Sequence, residues 1–200
     1  MRRILSVLFF CLIGAMAQAQ ETETPLAVPG DRVLGDPNAP VTIMEFSSLT
    51  CPHCASFHKN TLPLLKEKYI DTGKVKLVYK DYPIGGKALR AAMLARCVAP
   101  SRYFQFLDVL FKQQESWAWE ENPDAYLIKL GKLAGVSESK FAACVDDKAV
   151  RDGVLKSYVE GSRVYKVDAT PSFIINGEDK ISGAEGIEAF DEILEKYLEE

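Results

Sequence analysis

Cys51 and Cys54 enclose Pro52 and His53, directly behind an apolar, β-branched run, Val41-Thr42-Ile43-Met44-Glu45-Phe46. Two thiols at that spacing, opening a helix that follows a strand, have the layout of a pair that makes and breaks a disulfide. Cys51 falls at the helix N-terminus, where unpaired backbone N–H groups and the positive end of the helix dipole favour an anion. The thiolate is the reactive form of cysteine, so this position activates the sulfur. Favouring the thiolate also favours the reduced form, which makes the disulfide the stronger oxidant. His53 can add hydrogen-bond donors or positive charge beside the sulfur. Cys51 is therefore the expected exposed nucleophile, and Cys54, one turn further in, the buried resolving thiol.

Other readings of the same residues are weaker. A zinc site would need two more ligands. Cys97 and Cys144 stand alone in sequence, and only His58 is near, so no metal is expected. A purely structural Cys51–Cys54 bridge would close a strained four-residue loop that gains little chain entropy. The working group is then the Cys51–Cys54 disulfide itself, with no separate cofactor.

The cysteine count is five, and an odd number needs an explanation. Met1-Arg2-Arg3 is a basic start, Ile4 to Met16 is almost entirely apolar, and Ala17-Gln18-Ala19 has the small-x-small form of a cleavage site. This is the layout of a secretory signal cut after Ala19. The apolar run is short for a bilayer span, which takes about 20 residues. Cleavage would remove 19 of 200 residues and leave 181, and loss of Arg2 and Arg3 would take the net charge from −4 to −6. It would also remove Cys11 and leave four cysteines. In an exported chain these read as disulfide chemistry.

Around these residues the chain reads as one domain carrying an insertion. Apolar residues make up 48% of it, which rules out a largely disordered chain. The mild acidity argues against a protein that tracks nucleic-acid phosphates, and gives no reason to expect an anionic membrane surface. After the signal (1–19), residues 20–40 form a polar, proline-rich extended leader. Val41–Phe46, a helix over Cys51–Tyr69 interrupted by Pro63, and Val75–Tyr79 make a βαβ unit with parallel strands. Residues 87–165 show no convincing strand. Helices are predicted at Ala88–Val98, Tyr103–Gln114, Asp124–Ala134, Ser139–Val145 and Val150–Val164, with Ser137 as an N-cap. Pro171–Ile175 and Lys180–Ser182 form a hairpin across Asn176-Gly177. An amphipathic helix over Gly186–Glu200 closes the chain. Residues 41–86 and 166–200 are thus two halves of an α/β unit, and 87–165 an all-helical insertion.

Three motifs in this order, Glu45-Phe46-Ser47, Cys51-Pro52-His53-Cys54 and Thr170-Pro171, resemble those of the DsbA family of periplasmic thiol–disulfide oxidoreductases. The resemblance runs from Val33 to Glu200 and implies a thioredoxin fold with a helical insertion. C-P-H-C marks this branch, whereas thioredoxins carry C-G-P-C. Only about 5% of X–Pro bonds are cis in folded proteins. The resemblance nevertheless implies that Thr170–Pro171 is cis, beside the active-site disulfide, and presents the backbone of Thr170 to an extended substrate peptide. It implies that Glu45 is a buried acid exchanging a proton with Cys54, with Lys80 as a possible partner. A surface-facing Glu45 and a plainly solvated Lys80 remain open. His58 is expected at the surface near the site, without a catalytic role, and Trp117 and Trp119 in the core, with a place facing the substrate groove as the alternative.

Cys97 and Cys144 are expected to pair, as in a subgroup with a second, non-catalytic disulfide. Two reduced buried thiols and a redox-tuning role are the alternatives. The implied function is oxidation of unfolded exported proteins in the periplasm through a mixed disulfide on Cys51, with reoxidation by a membrane partner of the DsbB type. An isomerase or reductase is the runner-up. Isomerases of the superfamily oligomerise through N-terminal extensions, and a 20-residue leader with little apolar pattern favours a monomer. A copper-holding or chaperone-like thiol module is the third class. It is disfavoured because His53 and His58 are the only histidines and there is no Met-rich tract.

Overall fold

The structure is a computed structural model and describes residues 30–199; the expected signal peptide lies outside the described residues. Strand β1 is Arg32–Leu34 and β2 is Val41–Ser47. Helix α1, Pro52–Asn60, leads into a short α2, Leu62–Leu65, and a wider helical turn over Lys66–Ile70. Strand β3, Val75–Asp81, runs parallel to β2, with Ile43 opposite Leu77. Six helices follow before the next strand: α3 (Gly85–Arg96), α4 (Tyr103–Lys112), α5 (Gln114–Trp117), α6 (Asp124–Leu133), α7 (Glu138–Asp146) and α8 (Lys148–Arg163). Strands β4 (Ser172–Ile175) and β5 (Asp179–Ser182) and helix α9 (Ile187–Leu198) complete the chain. The sheet order is β1-β3-β2-β4-β5, a thioredoxin-like mixed sheet with a helical insertion between β3 and β4.

Local chemistry accounts for most of these boundaries. Asn176 and Gly177 both have positive φ (47° and 82°), and with Glu178 they form the loop between the paired Ile175 and Asp179, closed by the Glu178 amide donating to the Ile175 carbonyl at 3.0 Å. The Asn176 side chain then accepts from the Thr42 amide at 2.9 Å, pinning the turn to β2. Ser137 caps α7 by accepting from the Lys140 amide at 3.2 Å. β1 lies inside the segment read as an extended leader. Its three residues carry no alternating pattern, and they become a strand only because the edge of β3 offers antiparallel partners, Arg32 opposite Tyr79.

The sheet buries a core on each face. Ile43, Leu77, Phe173 and Ile175 pack with Phe57, Leu65, Phe190 and Leu194 of the flanking helices. The insertion builds its own core from Leu94, Tyr103, Leu107, Leu110, Phe111, Trp117 and Leu127. Trp117 is fully buried, but Trp119 is 65% exposed and corrects the expectation of a core residue. Two positions after Trp117, it leaves the core at the end of the short α5. A Cβ on Gly161 would lie 2.7 Å from the Phe46 ring, so glycine lets α8 press against β2. A disulfide joins Cys97, capping α3, to Cys144 in α7, with Cα atoms 6.4 Å apart.

Candidate active site

β2 delivers the chain to the mouth of the sheet and α1 starts there. Cys51 is the N-cap residue in extended conformation (φ −84°, ψ 121°), and Pro52 occupies the first helical turn. Proline suits that turn because the N–H it lacks has no partner there. Pro52 and His53 are exposed, Cys51 is half-buried and Cys54 is buried. Both thiols are free, and Cys51 Sγ lies 3.3 Å from the Thr170 carbonyl oxygen. The Thr170–Pro171 peptide is cis.

The two thiols differ sharply in acidity. The Cys54 thiol hydrogen-bonded to Cys51 is the largest influence on it; partial burial opposes, while Thr170 and the backbone N–H groups of Cys54 and His53 assist. Together they bring Cys51 down to about 5. Burial, and then the neighbouring Cys51 sulfur, push Cys54 well above the ordinary thiol range. At neutral pH the dithiol therefore carries one thiolate, on the half-buried Cys51, and one thiol within, on Cys54.

The loop before the cysteines is held from two sides. Ser48 donates its backbone N–H to Cys54 Sγ at 3.5 Å, and its hydroxyl accepts from the Ile84 amide at 3.2 Å. Gln114, at the start of α5, donates through Nε2 to the carbonyl oxygens of Leu49 and Cys51, at 2.8 and 3.0 Å. The insertion therefore fixes the backbone on which the nucleophile stands. No sequence motif marks Gln114; a buried amide is recognisable only once its partners are folded around it.

Glu45 is wholly buried, and the expected partner is corrected. Lys80 Nζ pairs with Asp31, at 3.0 Å, and with Glu160, at 3.2 Å. Glu45 is paired in register with Tyr79, and Lys80 with Phe46, so the pleat sends Lys80 to the opposite face of the sheet from Glu45. The partner is His58, whose Nε2 lies 2.9 Å from Glu45 Oε1. His58 is buried, which corrects its expected surface position. It lies four residues after the buried Cys54 and so shares its helix face, a signal the sequence did carry. The ring stacks on Phe111 at a centroid distance of 4.1 Å, and Asp108 Oδ1 stands 3.8 Å from its other nitrogen. Burial works against the cation, but Glu45 and Asp108 outweigh it and hold His58 at about 9.

A buried thiol beside a helix-start thiolate, a cis proline opposite and a thioredoxin-like sheet define a thiol–disulfide exchange centre. The thioredoxin family profile matches residues 27–196, and the chain belongs to that family. Within it the chain is similar to DsbA-type proteins. The Wolbachia pipientis alpha-DsbA1 crystal structure is 32% identical, with a TM-score of 0.77, covering 86% of this chain and 92% of that one. Oxidised BdbD from Bacillus subtilis is 25% identical, with a TM-score of 0.78, covering 87% and 99%. A Rickettsia typhi protein assigned as a protein-disulfide oxidoreductase is 34% identical over 148 residues, 74% of this chain and 55% of its own length. The chain spans 54–61% of the length of the Rickettsia relatives it matches.

Proposed function

We propose that the protein is a dithiol oxidase that introduces disulfides into unfolded exported proteins. The observation that carries this reading is the division of the pair into a thiolate at Cys51 and a buried neutral thiol at Cys54. A stabilised thiolate stabilises the reduced form and makes the disulfide a ready electron acceptor.

In the oxidised protein a substrate thiolate attacks Cys51 Sγ. The Cys51–Cys54 bond breaks, and its electron pair leaves on Cys54, which ends as a thiol. A second substrate thiolate then attacks the substrate sulfur of the mixed disulfide. Cys51 departs as thiolate, and the substrate keeps the new disulfide. Two electrons have passed to the protein, and a membrane reoxidase of the DsbB type takes them up. Thr170 and Pro171 hold the substrate backbone beside Cys51, and Glu45 exchanges a proton with Cys54. His53 and Pro52, both exposed, form the surface a substrate or reoxidase meets.

The Cys97–Cys144 disulfide supports an oxidising compartment, since such bonds persist outside the cytoplasm. The basic and apolar N-terminus points to export to the periplasm. The name of a Bacillus subtilis relative, 27% identical over 178 residues, is disulfide bond formation protein D, which agrees with this direction of electron flow. The test runs two assays in parallel, oxidation of reduced ribonuclease and repair of scrambled ribonuclease. Fast oxidation with little repair is expected. Strong repair with little oxidation would replace the oxidase reading by an isomerase.

A further inference from the structure

An ionised carboxylate without contact to water needs a counter-charge inside the protein. Glu45 is wholly buried, and among the described residues His58 is the side chain hydrogen-bonded to it. The second carboxylate oxygen, Oε2, is buried and takes no hydrogen bond. His58 and Cys54 stand one turn apart on the same face of α1, and Glu45 and Cys54 both act on the buried Tyr79 phenol, which places carboxyl group and inner thiol on the same side of the sheet. On the far side of the ring, Asp108 reaches toward Nδ1 from α4, with its side chain 47% exposed. The groups facing His58 are Glu45 from β2, Tyr79 from β3, Asp108 and Phe111 from α4, and Phe57 from its own helix. None of these is a cation, and burial keeps the Tyr79 phenol protonated.

We propose that His58, held between Glu45 and Asp108, is the positioning residue that pairs with Glu45 and sets it to take the proton of Cys54. This rests on disulfide exchange at Cys51 and Cys54, and adds which residue governs the Cys54 step. When a mixed disulfide on Cys51 is resolved, the Cys54 thiol gives its proton to Glu45 Oε2. Cys54 Sγ attacks Cys51 Sγ, the new S–S bond forms, and the partner sulfur leaves with the electron pair of the bond that breaks. Without the imidazolium, a buried carboxylate takes up a proton itself and cannot accept one from the thiol. Asp108 reinforces the cation from the solvent side, so its removal acts in the same direction and more weakly.

The experiment mixes reduced protein with oxidised glutathione and quenches the reaction at intervals between about pH 5 and pH 9. The first step, attack by Cys51, loads glutathione on the protein; the second, attack by Cys54, releases it. His58→Gln is expected to slow the second step at least about tenfold near neutral pH. The first step should stay within about twofold, so the mixed disulfide accumulates. His58→Lys, which returns a cation, should recover much of the second step, and Asp108→Asn should slow it about two- to fivefold. A folded His58→Gln protein with an unchanged second step and pH profile would overturn the proposal. If His58→Gln does not fold, Asp108→Asn decides, because its half-exposed side chain tolerates replacement; an unchanged second step there overturns it equally. A wild-type protein that shows no first step would overturn the exchange reading, and this inference with it.

Discussion

Gln114 Nε2 lies 3.0 Å from the carbonyl oxygen of Cys51, and 63 residues separate the two in sequence. The same nitrogen donates to Leu49. Through this one amide the helical insertion grips the loop that sets the nucleophile at the helix start.

Replacing Gln114 by Leu removes the side-chain donor to the Leu49 carbonyl, while the Cys51 carbonyl keeps the Ala55 amide at 3.1 Å. The loss is about 1–3 kcal/mol of stability for each group left unsatisfied. Because the loop carries Cys51, its thiolate should also titrate at higher pH than in the parent. Thermal unfolding and ultraviolet thiolate absorbance measure the two effects. A stability loss with no change in thiolate titration would show that Gln114 supports the fold without shaping the site.

The depressed pKa of Cys51 makes reduced and oxidised forms differ in stability with pH. In the folded dithiol Cys51 is ionised down to about 5, while the unfolded chain holds that proton up to the ordinary thiol range. Through that interval the unfolded state binds more protons, so the reduced form gains stability as pH rises. The Cys51 contribution is complete above the ordinary thiol range and is lost as pH falls through about 5. The oxidised form has neither thiol; Cys54, pushed well above the ordinary thiol range, stays protonated in folded and unfolded chains below that range and so adds nothing between neutral pH and about pH 5. The excess in melting temperature of reduced over oxidised protein should therefore shrink between neutral pH and about pH 5. A constant difference would argue against a thiolate at Cys51.

Glu45 and His58 test whether a buried ion pair serves stability or chemistry. Glu45→Leu alone strands a buried imidazolium and should cost about 3–5 kcal/mol. Glu45→Leu with His58→Leu removes both charges, and its stability should match or exceed the parent's by up to about 4 kcal/mol. Its exchange at Cys54 should be slow. Denaturant unfolding of the three proteins closes the comparison. A double variant as unstable as the single one would mean that the pair contributes to the fold in its own right.

The Cys97–Cys144 bond spans a sequence separation of 47. A loop of that length is worth about 4 kcal/mol in the chain-entropy account of disulfides. The Cys97→Ala/Cys144→Ala protein should lose stability of this order and retain two thiols that react with oxidised glutathione. Equilibrium unfolding and thiol counting on denatured protein provide the measurements. Unchanged stability would show that residual structure already restrains the unfolded chain.

Most of the fold was legible because its signals are local. The β-branched run of β2, the Asn176-Gly177 turn, the Ser137 cap and the helical periodicity of the insertion all depend on neighbours within a few residues. The cysteine pair was legible for the same reason: spacing, a preceding strand and a following helix make its chemistry. β1 escaped because a three-residue strand is created by the edge it joins.

The sequence by itself determined which two sulfurs stand at exchange spacing and that one of them begins a helix, since helix geometry ties Cys51 and Cys54 together over one turn. Only the tertiary structure decided what surrounds them. Lys80 faces away from Glu45 because adjacent residues of a strand point to opposite faces, and which face meets which helix follows from packing. His58 replaces it because α1 lies over β2 with its Cys54 face inward. Gln114 reaches the active-site loop because α5 folds back across a separation that no local pattern records. A buried side chain's partner is set by what the fold brings within about 3 Å of it, and that distance is not written in the spacing of residues along the chain.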